Sequence, residues 1–235
     1  MIAGALVALA AALPLAGTTV HLDAGHNGAN GSHPSQINRQ VPAGADGYRK
    51  ACDTAGAQTD DGRLTEARLN LDIARRLQRR LERLGARVVM TRTSDDGVGP
   101  CVNERAAIGN RAGADLALSI HADGGPPGGR GFHVIAPLAD RAVRPAIVPR
   151  SLRFARQLRA RLDAVGLRRC TYIGSGSGLV QRSDLGGLNL SRVPKAFVEL
   201  ANMHNPADAR LLGRMGERDR IATALARAVT RTLAR

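Results

Sequence analysis

Aromatic residues are scarce in this 235-residue chain, and long apolar runs are confined to its start. Tryptophan is absent, and two tyrosines and three phenylalanines offer few surfaces on which the bases of a single-stranded nucleic acid could stack. After the first 17 residues, no apolar run approaches the roughly 20 residues that a membrane-spanning helix needs. We therefore expect no nucleic-acid partner, and no membrane span beyond the N-terminal segment.

Lysine is also scarce, although the chain is strongly basic. Its 34 basic residues face 20 acidic ones, which gives a formal net charge of +14, and only Lys50 and Lys195 are not arginine. Abundant alanine and glycine beside arginine are typical of GC-rich codon usage, which accounts for part of this charge. The remainder favours a polyanionic partner, and an anionic cell envelope fits as well as a nucleic acid does.

The N-terminal segment 1–17, MIAGALVALAAALPLAG, has the apolar core and small residues of an export signal. Ala-x-Ala occurs at 8–10 and again at 10–12, although no lysine or arginine precedes the apolar run. The segment is therefore interpreted as a signal peptide or leader, with an uncleaved anchor or a buried first strand or helix as alternatives. We expect the protein to be secreted, periplasmic or associated with the cell wall.

The rest of the chain alternates between patterns typical of strands and of helices. Strands are predicted at 18–22, 86–92, 115–120, 131–136 and 194–200. Helices are predicted at 65–84, 102–112, 151–165 and 217–233. This alternation predicts a three-layer αβα fold, in which helices cover both faces of a mostly parallel or mixed, twisted sheet of about six strands.

Two segments lack this periodicity. Residues 27–63 are rich in Gly, Asn, Asp, Ser and Pro, and a loop of this length in a compact domain is usually functional, so we interpret it as an insertion that could act as a lid. The glycine-rich run at 174–178 lacks the Gly-Lys-Ser/Thr ending of a phosphate-binding loop and is interpreted as a flexible loop. No internal repeat or long linker interrupts 18–235, which we expect to be a single domain.

Four residues combine an informative position with metal or acid–base chemistry: His26, Glu66, His121 and Glu199. Three lie at or just past predicted strand ends, where open α/β sheets collect their ligand sites, and one opens a predicted helix. Two imidazoles and a carboxylate are the ligand set of a catalytic zinc ion, and a further carboxylate can serve as the base. Each residue also has an ordinary structural interpretation, such as a turn, a helix N-terminal charge or an ion pair with arginine.

Around these residues, five blocks occur in the order and spacing of a known family. They are LDAGHNG (22–28), TEARLNLDIARRLQRRLERLGARVVMTR (65–92), NERAAIGNRAGADLALSIHAD (103–123), GFHV (131–134) and VPKAFVELANMHNPAD (193–208). The chain resembles the zinc-dependent N-acetylmuramoyl-L-alanine amidases of the type 3 catalytic domain. Ala24 departs from this family, which usually has proline there, and the 27–63 stretch is longer than in minimal members.

The resemblance implies cleavage of the amide between N-acetylmuramic acid and L-alanine in peptidoglycan. It implies that His26, Glu66 and His121 bind Zn²⁺ and that Glu199 is the catalytic glutamate. Arg182 matches an arginine that commonly follows the glycine-rich segment, and it could hold a stem-peptide carboxylate through a bidentate pair. We expect peptidoglycan or a muropeptide to be the substrate of a monomeric enzyme.

Three cysteines, Cys52, Cys101 and Cys170, match no zinc-ribbon spacing. In an exported protein two of them can pair. Cys52 and Cys101 are favoured because both lie in turn-like segments near the expected active face, and their bond would stabilise the fold by roughly 4 kcal/mol. Three reduced cysteines in a cytosolic protein remain the alternative.

Two other functions remain open at this point. A zinc peptidase of the same fold would use the same four residues but would cut within the stem peptide and release products of different mass. A non-enzymatic basic module that binds the wall or nucleic acid would tolerate the loss of His26 and Glu199. The remaining histidines, His21, His33, His133 and His204, are expected to be structural.

Overall fold

A computed structural model of the chain describes residues 13–234. The strands, in chain order, are β1 (Thr19–Ala24), β2 (Gln40–Pro42), β3 (Arg49–Ala51), β4 (Arg87–Met90), β5 (Leu116–Asp123), β6 (His133–Pro137), β7 (Leu179–Arg182) and β8 (Lys195–Asn202). The helices are α1 (Pro34–Ile37), α2 (Glu66–Arg83), α3 (Val102–Arg111), α4 (Val148–Ala164), α5 (Gly186–Asn189), α6 (Pro206–Gly213) and α7 (Met215–Leu233). Within 13–234, no helix has the length and apolar character needed to cross a bilayer.

The main sheet has six strands in the order β4-β1-β5-β8-β6-β7. Strands β4, β1, β5 and β8 run parallel to one another, whereas β6 is antiparallel to β8 and parallel to the edge strand β7. A mixed sheet covered by helices on both faces confirms the predicted αβα class. The carboxyl ends of β1, β5 and β8 therefore meet at one edge of the sheet, where ligand sites of such folds form.

The two faces of the sheet differ in polarity because successive strand residues point to opposite sides. On β1, Val20, Leu22 and Ala24 belong to the apolar core that the sheet shares with α2, α4 and α7. His21 and Asp23 point to the opposite face, where Asp23 pairs with Arg105 of α3. This second face carries buried polar groups, and it is the face on which the candidate site lies.

Helix α2 matches its prediction closely and sets the orientation of its first residue. The Thr65 side chain accepts a hydrogen bond from the Arg68 N–H, which is the N-cap contact expected of threonine. Leu69, Ile73, Leu77 and Leu81 are buried on one side, as their spacing requires. The helix ends before Gly85, whose φ of +94° few other residues adopt. Glu66 therefore enters the site from a rigid helix start.

Three segments contain more structure than the sequence pattern indicates. Residues 179–189, which follow the predicted loop 174–178, hold the edge strand β7 and the short helix α5. Residues 206–213 form α6, which no prediction covered. The 27–63 insertion contains α1 and the antiparallel hairpin of β2 and β3. Apart from α6, these elements span only three or four residues, which carry too little periodicity to be recognised from sequence.

The predicted leader overlaps the start of the described chain. Its residues 1–12 lie outside the described residues. Leu15 is fully buried in the core, and its N–H donates to the Leu84 carbonyl oxygen at 2.9 Å. Residues 13–17 thus pack against the end of α2 as part of the domain.

Candidate metal centre and active site

The sheet edge and the start of α2 bring His26, Glu66 and His121 together. His26 follows β1, Glu66 is the first residue of α2, and His121 lies near the end of β5. One ligand atom from each residue lies within 4.8 Å of the other two. Glu66 Oε1 is 3.2 Å from His26 Nε2 and 2.9 Å from His121 Nδ1. Side chains separated by up to 95 positions in sequence thus form one compact donor cluster.

Two glycines allow this close approach. A Cβ on Gly25 would lie 2.1 Å from the His121 ring, and one on Gly56 would lie 2.9 Å from the His26 ring. His26 itself has a φ of 56°, an uncommon conformation for a residue with a side chain and one that clusters at functional sites. The local backbone is therefore shaped around the two imidazoles.

Glu66 is nearly completely buried, yet both of its carboxylate oxygens have partners. Oε2 accepts a 2.7 Å hydrogen bond from the Ala57 N–H, while Oε1 faces both imidazoles and accepts from the Ala122 N–H at 3.2 Å. A buried carboxylate and two buried imidazoles form the donor set that zinc uses in catalytic sites with three protein ligands. The residues present therefore fit a zinc ion.

The three groups shift one another's pKa values. Burial alone would lower the pKa of His26, but the carboxylates of Glu66 and Asp53 outweigh it and raise this pKa to about 10. Burial lowers the pKa of His121 despite the adjacent Glu66. Burial would also raise the pKa of Glu66, but the two imidazoles hold it well below its usual range. The carboxylates at this site therefore stabilise a positive charge on a group that lies between them, such as the His26 imidazole or a bound cation.

Glu199 lies on β8, in register with His121 of β5 on one side and His133 of β6 on the other. Its Oε2 atom is buried and has no hydrogen-bond partner among the described residues. Burial, together with the charges of Glu66 and Asp123, raises the pKa of Glu199 well above its usual range. An orphaned carboxyl oxygen with a raised pKa is suited to hold and release a proton.

The cluster opens into a cleft of about 820 Å³ that His26, Glu66, His121, Glu199 and Arg182 all line. Arg182 makes a bidentate pair with Asp184, with Nε–Oδ1 and Nη2–Oδ2 distances of 2.8 and 2.6 Å. Arg182 therefore lies at the cleft, as a substrate-binding arginine would, but its guanidinium already pairs with the carboxylate of Asp184. Lys50 of β3 reaches the same part of the cleft and donates to the Asp184 carbonyl oxygen at 2.8 Å.

A buried chain of charges lies beneath the cluster, and the sequence prediction missed it. Asp53 accepts from the His26 Nδ1–H at 2.9 Å and also pairs with Arg105 at 3.0 Å. Arg105 then pairs with Asp23, whose other oxygen accepts from Lys195 at 2.8 Å. One signal was available: in the predicted strand 194–200, Lys195 and Glu199 are the charged residues among apolar ones, and a buried lysine requires an acidic partner.

The remaining histidines are distributed as follows. His21 and His133 are buried in strands, and burial lowers the pKa of each to about 4. His33 is exposed and bonds locally to Ala29. His204 is partly buried, lines the cleft, and its Nδ1 lies 3.2 Å from the Gly125 carbonyl oxygen.

The structure contains the disulfide between Cys52 and Cys101 that the turn-like segments favour. Cys170 is buried and unpaired. The bond joins the 27–63 insertion to the N-terminus of α3, whose N-cap residue is Cys101. It thereby connects the segment that carries Asp53 to the helix that carries Arg105.

The chain is similar to known proteins along nearly its whole length. A family model described as N-acetylmuramoyl-L-alanine amidase matches residues 20–231. The N-acetylmuramoyl-L-alanine amidase Rv3717 of Mycobacterium tuberculosis is 42% identical, with an alignment that covers 100% of this chain and 98% of that protein. The germination-specific N-acetylmuramoyl-L-alanine amidase of Bacillus subtilis is 26% identical over 93% of this chain and 81% of that protein.

Solved structures agree with these sequence matches. The crystal structure of the N-acetylmuramyl-L-alanine amidase Ami1 from Mycobacterium smegmatis superimposes with a TM-score of 0.86 at 43% identity, covering 93% of this chain and 98% of that one. The amidase AmiC2 of Nostoc punctiforme superimposes with a TM-score of 0.68 at 22% identity, covering 93% and 98%. The second likeness shows the fold alone.

Proposed function

The chain belongs to the N-acetylmuramoyl-L-alanine amidase family, a family of metal-dependent hydrolases of peptidoglycan, and on that premise we propose which ion and which residues carry the reaction. The ion is Zn²⁺, held by His26, Glu66 and His121, and Glu199 is the catalytic acid and base. The observation that carries this assignment is the cluster of the three donor atoms within 4.8 Å. The bond cleaved is the amide between N-acetylmuramic acid and L-alanine.

Amide hydrolysis requires a stronger electrophile and a better leaving group than a free amide offers. When bound, zinc acts as a Lewis acid toward the scissile carbonyl and lowers the pKa of water toward about 7. Glu199 takes a proton from the attacking water at its carboxylate. The same carboxyl then donates that proton to the departing L-alanine nitrogen, a transfer that the raised pKa of Glu199 supports.

We propose that Arg182 contributes to substrate binding. Its bidentate contact with Asp184 orients the guanidinium group and leaves Nη1 for a carboxylate in the cleft. A carboxylate of the stem peptide is the group that such an arginine recognises.

The insertion 27–63 is proposed to control access to the cleft within a single catalytic domain spanning 18–235. Lys50 and Ala51 of β3 and the following stretch 53–58 line the cleft, which supports this role. The hairpin of β2 and β3 is joined to the rest of the domain at Tyr48, over whose ring the Arg141 guanidinium lies at 4.2 Å.

We propose further that the protein is exported as a monomer and acts in the cell wall. The apolar segment 1–17, interpreted as a signal peptide or leader, supports export, and so does the disulfide, because disulfides persist in oxidising compartments. The net charge of +14 supports affinity for an anionic wall through the basic surface itself.

Mass spectrometry of a purified muramoyl-peptide digest tests the proposal. The digest is incubated with the native protein, with protein stripped by a chelator and then reloaded with Zn²⁺, and with the Glu199→Gln variant. Intact stem peptide with a free L-alanine amine should appear only with native and reloaded protein. Fragments cut inside the stem would instead identify a peptidase, and zinc-independent cleavage would contradict the metal assignment.

A further inference from the structure

A stretch of five residues in the insertion, 53–57, contacts two of the three proposed zinc ligands. Asp53 accepts from the Nδ1–H of His26, and the Thr54 carbonyl oxygen lies 3.1 Å from the same nitrogen. Ala57 donates its N–H to Glu66 Oε2 at 2.7 Å. The contacts to His26 use only its Nδ1 atom. They leave Nε2, which lies 3.2 Å from Glu66 Oε1, available to the cluster.

Asp53 determines the tautomer and the orientation of His26. With its Nδ1–H donated to a carboxylate, the imidazole presents Nε2 as the free lone pair toward Glu66 and His121. A carboxylate in this position raises the basicity of the ligating nitrogen and prevents rotation of the ring. Both Asp53 and His26 are buried, so water competes little for this hydrogen bond.

Glu66 is held by the same stretch through two hydrogen bonds to the backbone of Ala57. Ala57 donates to the Glu66 carboxylate, and the Glu66 N–H donates to the Ala57 carbonyl oxygen at 2.8 Å. Gly56 packs against both ligands, since a Cβ there would lie 2.9 Å from His26 Cδ2 and 3.0 Å from Glu66 Oε2. The position of this stretch therefore sets the distance between the two side chains.

The stretch is attached to helix α3 directly by an ion pair and, through the preceding Cys52, by a disulfide and a backbone hydrogen bond. Arg105 pairs with Asp53 Oδ2 at 3.0 Å and also donates to the His26 carbonyl oxygen at 2.9 Å. Cys52, which immediately precedes Asp53, is bonded to Cys101 at the helix N-cap, and the Val102 N–H donates to the Cys52 carbonyl oxygen at 2.8 Å. The disulfide thus fixes the residue next to Asp53 to the first turn of the helix that supplies Arg105.

From these contacts we propose that 53–57 is a positioning segment of the zinc site, and that the Cys52–Cys101 disulfide maintains zinc affinity by holding Asp53 against His26. The proposal rests on the zinc site of the proposed function. It assigns to part of the insertion a role in metal binding, separate from control of access to the cleft. Asp53 is a positioning residue because it acts on the metal through His26.

The test is the zinc dissociation constant, measured by competition with a chromophoric chelator. Asp53→Ala should weaken zinc binding by about 10- to 100-fold. Asp53→Asn, which keeps a hydrogen-bond acceptor of the same size, should lose less affinity. The Cys52→Ala/Cys101→Ala double variant should lose about tenfold or more. Each variant should still bind one equivalent at saturating zinc, because the ligands themselves are intact.

Matched controls separate positioning from general destabilisation. Asp60→Asn changes an exposed aspartate of the same insertion, and Cys170→Ala removes the buried cysteine outside the disulfide. Both should retain the native dissociation constant. The melting temperature of the metal-free form is recorded for every variant, since a purely structural role would lower it and leave the zinc affinity of the folded protein unchanged.

The outcomes distinguish this proposal from the proposed function. Native-like zinc affinity in both folded Asp53 variants, or in the disulfide variant, would overturn the corresponding part of the proposal while leaving the zinc site in place. Failure of the native protein to bind zinc would overturn the zinc site itself. If Asp53→Ala does not fold because Arg105 loses a partner, the zinc dissociation constant of Asp53→Asn tests the proposal alone. Weaker zinc binding supports the proposal, and native-like binding contradicts it.

Discussion

Lys195 Nζ lies 2.8 Å from Asp23 Oδ2, and both side chains are almost fully buried beneath the candidate site. Asp23 also accepts from Arg105 and Ser119, so its carboxylate is fully hydrogen-bonded. Burial would raise the pKa of Asp23, but Lys195 and Arg105 hold it well below its usual range. The ion pair thus links strand β1 to strand β8, on the polar face of the sheet and beneath the residues of the candidate site.

Removing one partner of this pair should destabilise the fold strongly. Lys195→Met removes one of the two cations that face the buried Asp23 carboxylate and leaves only Arg105, a loss that costs up to about 3–5 kcal/mol of unfolding free energy. Urea denaturation followed by circular dichroism measures it. The matched control is Lys50→Met, at the chain's other lysine, which is half-buried and bonds to a backbone carbonyl, so about 1 kcal/mol is expected. Equal losses in the two variants would contradict the inferred role of the buried pair.

Loss of a proposed ligand should differ from loss of the proposed acid–base residue. His26→Ala and His121→Ala should lose bound zinc and all turnover, because each removes one of three donor atoms. Glu199→Gln should retain a full equivalent of zinc and lose turnover. Elemental analysis after dialysis, beside an activity assay, measures both quantities, and His33→Ala serves as the control at an exposed histidine. Full zinc retention in both histidine variants would refute the ligand assignment.

Stability should fall as the pH drops from about 6.5 to about 4. Burial lowers the pKa of His21 and of His133 from 6.5 to about 4, so in this range the unfolded state binds protons that the native state does not. Unfolding free energy therefore rises with pH here, and each histidine accounts for up to about 3 kcal/mol. Above pH 6.5 both states are neutral at these residues and the dependence disappears.

Urea titrations at several pH values, carried out on the metal-free protein, check this dependence. His133→Gln should flatten the slope between pH 4 and 6.5, even if it lowers stability at every pH. A slope unchanged by the substitution would show that other groups dominate the acid sensitivity.

Arg182 should affect substrate binding more than the chemical step. Its guanidinium lines the cleft, is paired with Asp184 and supplies none of the three donor atoms of the cluster. Arg182→Gln should therefore raise KM by about tenfold or more, the loss of one charge-assisted hydrogen bond, and change kcat little. Arg168→Gln, at an exposed arginine, is the control. A drop in kcat with unchanged KM would assign Arg182 to the reaction itself.

Shortening the hairpin of the insertion should change substrate access without removing the metal site. Replacing residues 44–48 by a two-residue turn alters the connection between β2 and β3 and leaves 53–57 in place. Activity on intact wall should change relative to activity on a soluble muropeptide, because only the larger substrate must pass the hairpin. Equal changes on the two substrates would count against control of access.

Local sequence patterns predicted most of the long helices and strands. Helix α2 was predicted to within one residue at each end, because its leucine spacing, its Thr65 cap and its Gly85 terminator are all local signals. Strand β7 and helix α5 were missed because each spans only four residues within a glycine-rich segment. Their structure depends on pairing with β6 and packing against α3, which no local pattern records.

The sequence by itself determined the αβα class and the amidase family, and it predicted the four site residues His26, Glu66, His121 and Glu199, since motif order and strand-end positions are properties of the chain. Only the tertiary structure decided which groups hold them in place. Asp53 and Arg105 carry no signal in sequence, and they acquire their role, as Lys195 does, because burial forces each charge to find a partner across distant segments. Such pairing is a consequence of packing in three dimensions, where desolvation makes an unpaired charge costly.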